Sequence, residues 1–262
     1  MQLPYFRVSA FASNPFSGNP AGVCPLERWL PDDLLQRIAS ENNLSETAYF
    51  VRENDFYHLR WFTPAVEVDL CGHATLASAF VLFTELGFKE SSVKFQTRGG
   101  RLSATRRKDL VELDFPSRPP KACEVPDMLI KGLGAEPREV LKSRDYFVVF
   151  DSAGDVMDLR PDFQLLNQVD SLGIIITAKG EQVDFVSRFF APRAGINEDP
   201  VTGSAHCTLI PFWAEQLKKT ELHARQVSQR GGELFCRLEG DRVAIGGQAK
   251  IYSRGSLEVP ED

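Results

Sequence analysis

Two apolar runs stand out in a chain otherwise made of short alternating segments. The first, Ala74 to Leu86, is apolar on every side, a pattern that predicts a helix surrounded by other structure. It follows Asp69-Leu70-Cys71-Gly72-His73, and the second follows Asp199-Pro200-Val201-Thr202-Gly203-Ser204-Ala205-His206. Each run thus opens on a glycine among small polar residues, the composition of a helix N-terminus that a ligand can approach. Before the first run the pattern predicts a strand at Leu3 to Phe11, a turn at Ser13 to Pro20 and a short strand through Val23. Pro31-Asp32-Asp33 opens a helix with Leu34, Leu35, Ile38 and Ala39 on one face, ending near Asn42-Asn43. Glu46 then falls where helix gives way to the strand through Val51, and Tyr57 to Phe62 is the next strand.

After the first apolar run, Val93 to Thr97, Arg101 to Thr105 and Leu110 to Phe115 read as a meander of short strands. The proline-rich stretch Pro116 to Pro126 marks a boundary. Beyond it come a short helix near Met128 to Gly132 and strands at Tyr146 to Phe150, Gly173 to Ala178 and Phe185 to Phe190. Matching residues recur in order on both sides of the boundary: Arg60-Trp61-Phe62-Thr63-Pro64 echoes Arg188-Phe189-Phe190-Ala191-Pro192, Gly72 echoes Gly203, and Arg98-Gly99-Gly100 echoes Arg230-Gly231-Gly232. Such register across many strands predicts an internal duplication. The expected fold is α+β, with two similar halves, each a curled, mostly antiparallel, barrel-like sheet around one central helix, and the active site in the cleft between them. The halves are expected at 1–116 and 117–262, with the final strand free to cross back from the C-terminus.

Bulk properties narrow the function. The 262 residues carry a net charge of −6 with acids and bases interspersed, which disfavours a nucleic-acid or membrane surface. The cysteines Cys24, Cys71, Cys123, Cys207 and Cys236 are odd in number and contain no C-x-x-C pair, as fits reduced thiols. The N-terminus lacks a signal-peptide core and no apolar run is long enough to span a bilayer, so a cytoplasmic location is expected.

Helix N-termini at Gly72-His73 and Gly203-Ser204 offer unpaired amides to an anion, either a substrate carboxylate or charge that develops during reaction. Glu46, His73 and Asp199 sit at element ends beside these clusters and are the acid and base candidates. Each has a plainer reading: Glu46 a surface carboxylate, Asp199 an N-cap, His73 or His206 a core histidine. The chain has no strand-linked G-x-G-x-x-G, no H-E-x-x-H, no metal-spaced cysteine cluster and no phosphate-cradling G-x-x-x-x-G-K-[ST]. The expectation is a reaction without metal or cofactor.

Six motifs together resemble the PhzF family of phenazine-biosynthesis-like isomerases, within the diaminopimelate-epimerase-like fold. They are Gly18-Asn19-Pro20-Ala21, Asn43-Leu44-Ser45-Glu46-Thr47-Ala48, Phe62-Thr63-Pro64, Cys71-Gly72-His73-Ala74-Thr75, Asp199 to His206 and Arg230-Gly231-Gly232-Glu233-Leu234. The resemblance implies a homodimer and a cofactor-independent proton transfer on a small carboxylic acid. It places the catalytic glutamate at Glu46, with His73 and Asp199 beside it, and substrate contacts at Asn19, Gly72, Gly203 and Ser204. In the epimerases of this fold a cysteine heads each central helix; here Cys71 holds the first place and Thr202 the second, which disfavours a thiol pair. The rival readings are an amino-acid racemase or epimerase, and a non-catalytic binding module that keeps the pocket.

Overall fold

The computed structural model of the chain describes residues 1–260. The chain divides into two compact units, one formed by Met1–Asp114 together with the segment from Gly246 onward, the other by Phe115–Ile245.

The first unit opens with β1 (Gln2–Ala10), β2 (Asn19–Leu26), helix α1 (Asp32–Asn42), β3 (Glu46–Glu53), β4 (Phe56–Phe62) and the two-residue β5 (Glu67–Val68). Helix α2 (Gly72–Thr84), β6 (Ser92–Thr97), β7 (Gly100–Arg107) and β8 (Leu110–Pro116) follow. β2 runs parallel to β3, β3 antiparallel to β4, β4 parallel to β6, and β6, β7 and β8 form an antiparallel meander. The last strand of the chain, Ala249–Glu258, pairs antiparallel with β1 from Gln2↔Glu258 to Ala10↔Ala249, which is why the C-terminal segment joins this unit. Helix α1 buries Leu34, Leu35, Ile38 and Ala39 in a cluster with Tyr49, Val51 and Phe62, and ends at Asn43 in the left-handed conformation. Helix α2, buried along nearly its whole length, packs against β1, β2, β3, β7 and the final strand, as its unbroken apolar pattern requires.

The second unit contains β9 (Lys121–Ala122), α3 (Asp127–Leu133), β10 (Glu139–Lys142), β11 (Tyr146–Val149), α4 (Ala153–Asp158), α5 (Phe163–Leu166), β12 (Ile174–Lys179) and β13 (Phe185–Ala191). A short 3-10 turn, β14 (Ile196–Glu198), α6 (His206–Leu217), β15 (Glu221–Gln226), β16 (Gly232–Glu239) and β17 (Arg242–Gly247) complete it, the final strand being β18. The pairing order of the first unit recurs: β11 is parallel to β12, β12 antiparallel to β13, β13 parallel to β15 and β15 antiparallel to β16. Antiparallel pairs dominate both units, but each parallel pair is joined through a helix-bearing crossover, because parallel neighbours cannot be linked by a tight turn. The strands expected at Tyr146 to Phe150 and Gly173 to Ala178 come without α4 and α5, which fill the crossover between them.

The echoed arginines do the same local work in each unit. Arg60 on β4 grips Glu67 through paired contacts of 2.8 Å, and its guanidinium lies 5.0 Å from the Phe62 ring. Arg188 on β13 grips Glu198 at 2.8 and 3.0 Å and lies 4.8 Å from the Phe190 ring. Both forks hold a short strand, β5 or β14, directly before the loop that leads into the buried helix. In α6, Pro211 has no N–H for the Cys207 carbonyl, and Arg118 N donates to that oxygen instead at 2.8 Å.

Candidate functional site

The first cluster forms where two parallel strands begin side by side. Gly18, at φ 70°, turns the chain into β2 so tightly that a Cβ there would lie 2.2 Å from the Ala10 carbonyl oxygen. Asn19 is therefore the first residue of β2, and the parallel register that sets Ala21 against Glu46 brings it beside the start of β3. Helix α2 delivers Cys71 as its N-cap and Gly72 and His73 as its first turn. All are buried, and the Glu46 side chain retains 15% of its exposure.

These side chains meet around the His73 ring. Nε2 lies 3.0 Å from Glu46 Oε2, Nδ1 accepts from Asn19 Nδ2 at 3.2 Å, and Cys71 Sγ lies 3.6 Å from Nδ1. Ser45 Oγ donates to Asn19 Oδ1 at 3.4 Å. The Nε2 to Oε2 approach is an ion-pair contact and not an aligned hydrogen bond, and both atoms are buried without a hydrogen-bond partner among the described residues. Burial opposes a charge on His73, but the Glu46 carboxylate favours the protonated ring, and its proton affinity lies well above the ordinary histidine value. Burial, reinforced by the Glu46 charge, pushes the Cys71 thiol up, away from thiolate chemistry.

Glu46, Cys71 and His73 bring one possible ligand atom each within 4.8 Å of one another. They do not converge on an ion, because Glu46 and Cys71 approach opposite ring nitrogens and Asn19 already holds Nδ1. The arrangement suits the handling of a proton at Nε2 and Oε2.

The second cluster lies in the other unit. Thr202 Oγ1 donates to Asp199 Oδ2 at 2.5 Å. Gln226 accepts from Thr202 N at 2.8 Å and donates to Asp199 O at 2.8 Å. His206 Nδ1 donates to the Thr202 carbonyl at 2.9 Å, and burial holds that imidazole down at about 4, a neutral core histidine. Gly203, Ser204 and Ala205 form a turn with 3-10 hydrogen bonds ahead of α6, so this helix begins later than its first glycine suggests. Gly203 is buried and Ser204 half-buried.

The sequence-predicted residues thus gather as Asn19, Glu46, Gly72 and His73 in one unit and Asp199, Gly203 and Ser204 in the other. Sequence reasoning missed Gln226, which is fully buried and braces the Asp199 loop. Its signal was available: Leu222 and Ala224 face inward on β15, and Gln226 occupies the next inward position, where a polar residue needs a reason.

A profile of the phenazine biosynthesis-like protein family (PhzC-PhzF) matches residues 8–255. An uncharacterized isomerase of Pseudomonas aeruginosa is 51% identical over 99% of this chain and 100% of its own length. The phenazine biosynthesis-like domain-containing protein of Homo sapiens is 42% identical over 98% of this chain and 99% of its own. The crystal structure of a PhzF-family phenazine biosynthesis protein from Enterococcus faecalis superposes with a TM-score of 0.97 at 47% identity, covering 99% of this chain and 100% of that one. With a family profile along nearly the whole chain and full-length relatives at this identity, the chain belongs to the phenazine biosynthesis-like family of isomerases.

Proposed function

We propose that this isomerase moves a proton on a small carboxylic acid without a cofactor, with Glu46 as general acid and base. The observation that carries the reading is the pair Glu46 Oε2 and His73 Nε2, two buried polar atoms held 3.0 Å apart without hydrogen-bond partners among the described residues. Burying such atoms costs about 1–3 kcal/mol each, a cost retained where chemistry needs them. Oε2 is enclosed against His73, which leaves Oε1 on the partly exposed side chain as the oxygen that meets substrate. His73 steadies the carboxylate in either protonation state. The first-turn amide at Gly72 and the turn amide at Gly203, with the Ser204 hydroxyl, are assigned to acidic groups of the substrate, and Asp199 to its orientation.

We read the two units as copies of one ancestral half, each sheet wrapped around its central helix, a reading supported by the recurring pairing order and arginine forks. Register makes the copies chemically unequal. Phe62 faces Thr47 and Phe190 faces Ile174, so the residue corresponding to Glu46 is Gly173. A Cβ at Gly173 would lie 2.3 Å from the Phe189 ring, so the second copy has no room for such a carboxylate. Together with the protonated Cys71 thiol and the commitment of Thr202 Oγ1 to Asp199, this favours one acid/base group over the two of a racemase.

The test is incubation of the protein with a panel of small unsaturated and amino-acid-like carboxylic acids in deuterated water, followed by NMR. Deuterium on carbon together with a shifted double bond or rearranged isomer supports the proposal. Loss of optical rotation in one amino acid without rearrangement favours a racemase, and tight binding with no exchange favours a binding module. Light scattering tests the homodimer that the family resemblance implies.

A further inference from the structure

We propose that Asn19 is a positioning residue that acts on His73 and not on substrate, presenting an N–H to Nδ1 so that the neutral ring carries its proton on Nε2, beside Glu46. The inference rests on reading Glu46 and His73 as the proton-transfer pair.

Asn19 is fully buried, so its amide is withdrawn from any ligand that approaches from solvent. Its Nδ2 donates to His73 Nδ1 at 3.2 Å, while Ser45 Oγ donates to its Oδ1 at 3.4 Å and so selects which end of the amide faces the ring. A nitrogen that accepts from an amide N–H must keep its lone pair, and Cys71, whose thiol burial keeps protonated, adds a weak S–H donor on the same side at 3.6 Å. The ring proton is left on Nε2, 3.0 Å from Glu46 Oε2. Backbone geometry makes this placement firm: Gly18 and the Ala10↔Asn19 pair fix the start of β2, and α2 fixes His73.

The titratable groups facing His73 are Glu46 from β3, whose charge favours the cation, and Cys71 at the head of α2, whose protonated thiol faces Nδ1. Asn19 from β2 opposes the cation, since a second ring proton on Nδ1 would face its N–H. Asn19 therefore keeps the ring able to change charge during turnover, where an acceptor at the same place would hold it as imidazolium.

The test is ¹⁵N NMR of the full-length protein labelled at its four histidines, the His73 signal being assigned by its loss in His73→Gln. Above its titration the wild-type ring is expected to be protonated at Nε2; a proton on Nδ1 overturns the proposal whatever any variant does. Asn19→Asp, which offers only acceptors, should move the His73 titration upward by about one unit or more, as a charge at this range does. The kcat profile should move with it while KM changes little. Coincident His73 titrations in wild type and Asn19→Asp, or a raised KM with an unmoved profile, would mark Asn19 as a substrate-binding group instead. The tautomer is read without turnover, so it stands or falls separately from the catalytic role of Glu46.

Discussion

His73 Nε2 and Glu46 Oε2 face each other at 3.0 Å, the first on the opening turn of a buried helix and the second on the opening residue of a strand. Each is buried and lacks a hydrogen-bond partner among the described residues. Their meeting depends on parallel pairing of β2 with β3 and on α2 packing over those strands, so the site is set by rigid elements and not by loops.

The turn that delivers Asn19 is the most sensitive backbone position of the first cluster. Gly18→Ala combines a left-handed φ with a Cβ 2.2 Å from a carbonyl oxygen, and should cost about 1–3 kcal/mol. Urea denaturation should show the loss, and the remaining folded protein should turn over more slowly because Asn19 is displaced from His73.

The arginine forks should differ in weight. Arg188 is buried and also donates to the carbonyls of Val156 and Leu159 at 3.1 Å, whereas Arg60 shares its charge with the exposed Asp32. Arg188→Met should therefore destabilise by about 3–5 kcal/mol, the range for breaking a buried pair, and Arg60→Met by less. Chemical denaturation of both variants checks the order.

The brace under Asp199 should affect both stability and function. Gln226→Leu removes the acceptor of Thr202 N and a donor to the Asp199 carbonyl and should cost about 1–3 kcal/mol. Steady-state kinetics should show a raised KM if the loop carries substrate contacts.

Stability should fall in acid through His206. The folded ring takes a proton only near pH 4, against 6.5 for an unperturbed histidine, because burial penalises its charge. Between those values the unfolded chain binds more protons, so stability rises with pH across the window. The contribution is complete above about pH 6.5 and lost toward pH 4, about 3 kcal/mol in all. His206→Asn should flatten that part of the curve in denaturation measured at stepped pH.

Much of this arrangement is legible in the sequence, for physical reasons. The unbroken apolar run after Gly72 could only be a buried helix, and Glu46 lies at the start of its strand as the switch of pattern implies. The recurrence of Arg60-Trp61-Phe62 as Arg188-Phe189-Phe190 is visible in the sequence, and the two arginines hold equivalent forks. What stayed hidden depends on contacts distant in sequence. Asn19 reaches His73 across 54 residues, and Gln226 reaches Thr202 across 24. The short helices α4 and α5 carry too few turns for periodicity to reveal them.

The central claim rests on one carboxylate, and the direct measurement is the rate at which solvent deuterium enters carbon of a turnover substrate in wild type and in Glu46→Gln. The amide keeps the shape of the side chain but cannot accept and return a proton. The account predicts a fall of about 10²–10⁴-fold in exchange with near-native stability and substrate binding. Exchange at the wild-type rate in folded Glu46→Gln would contradict it.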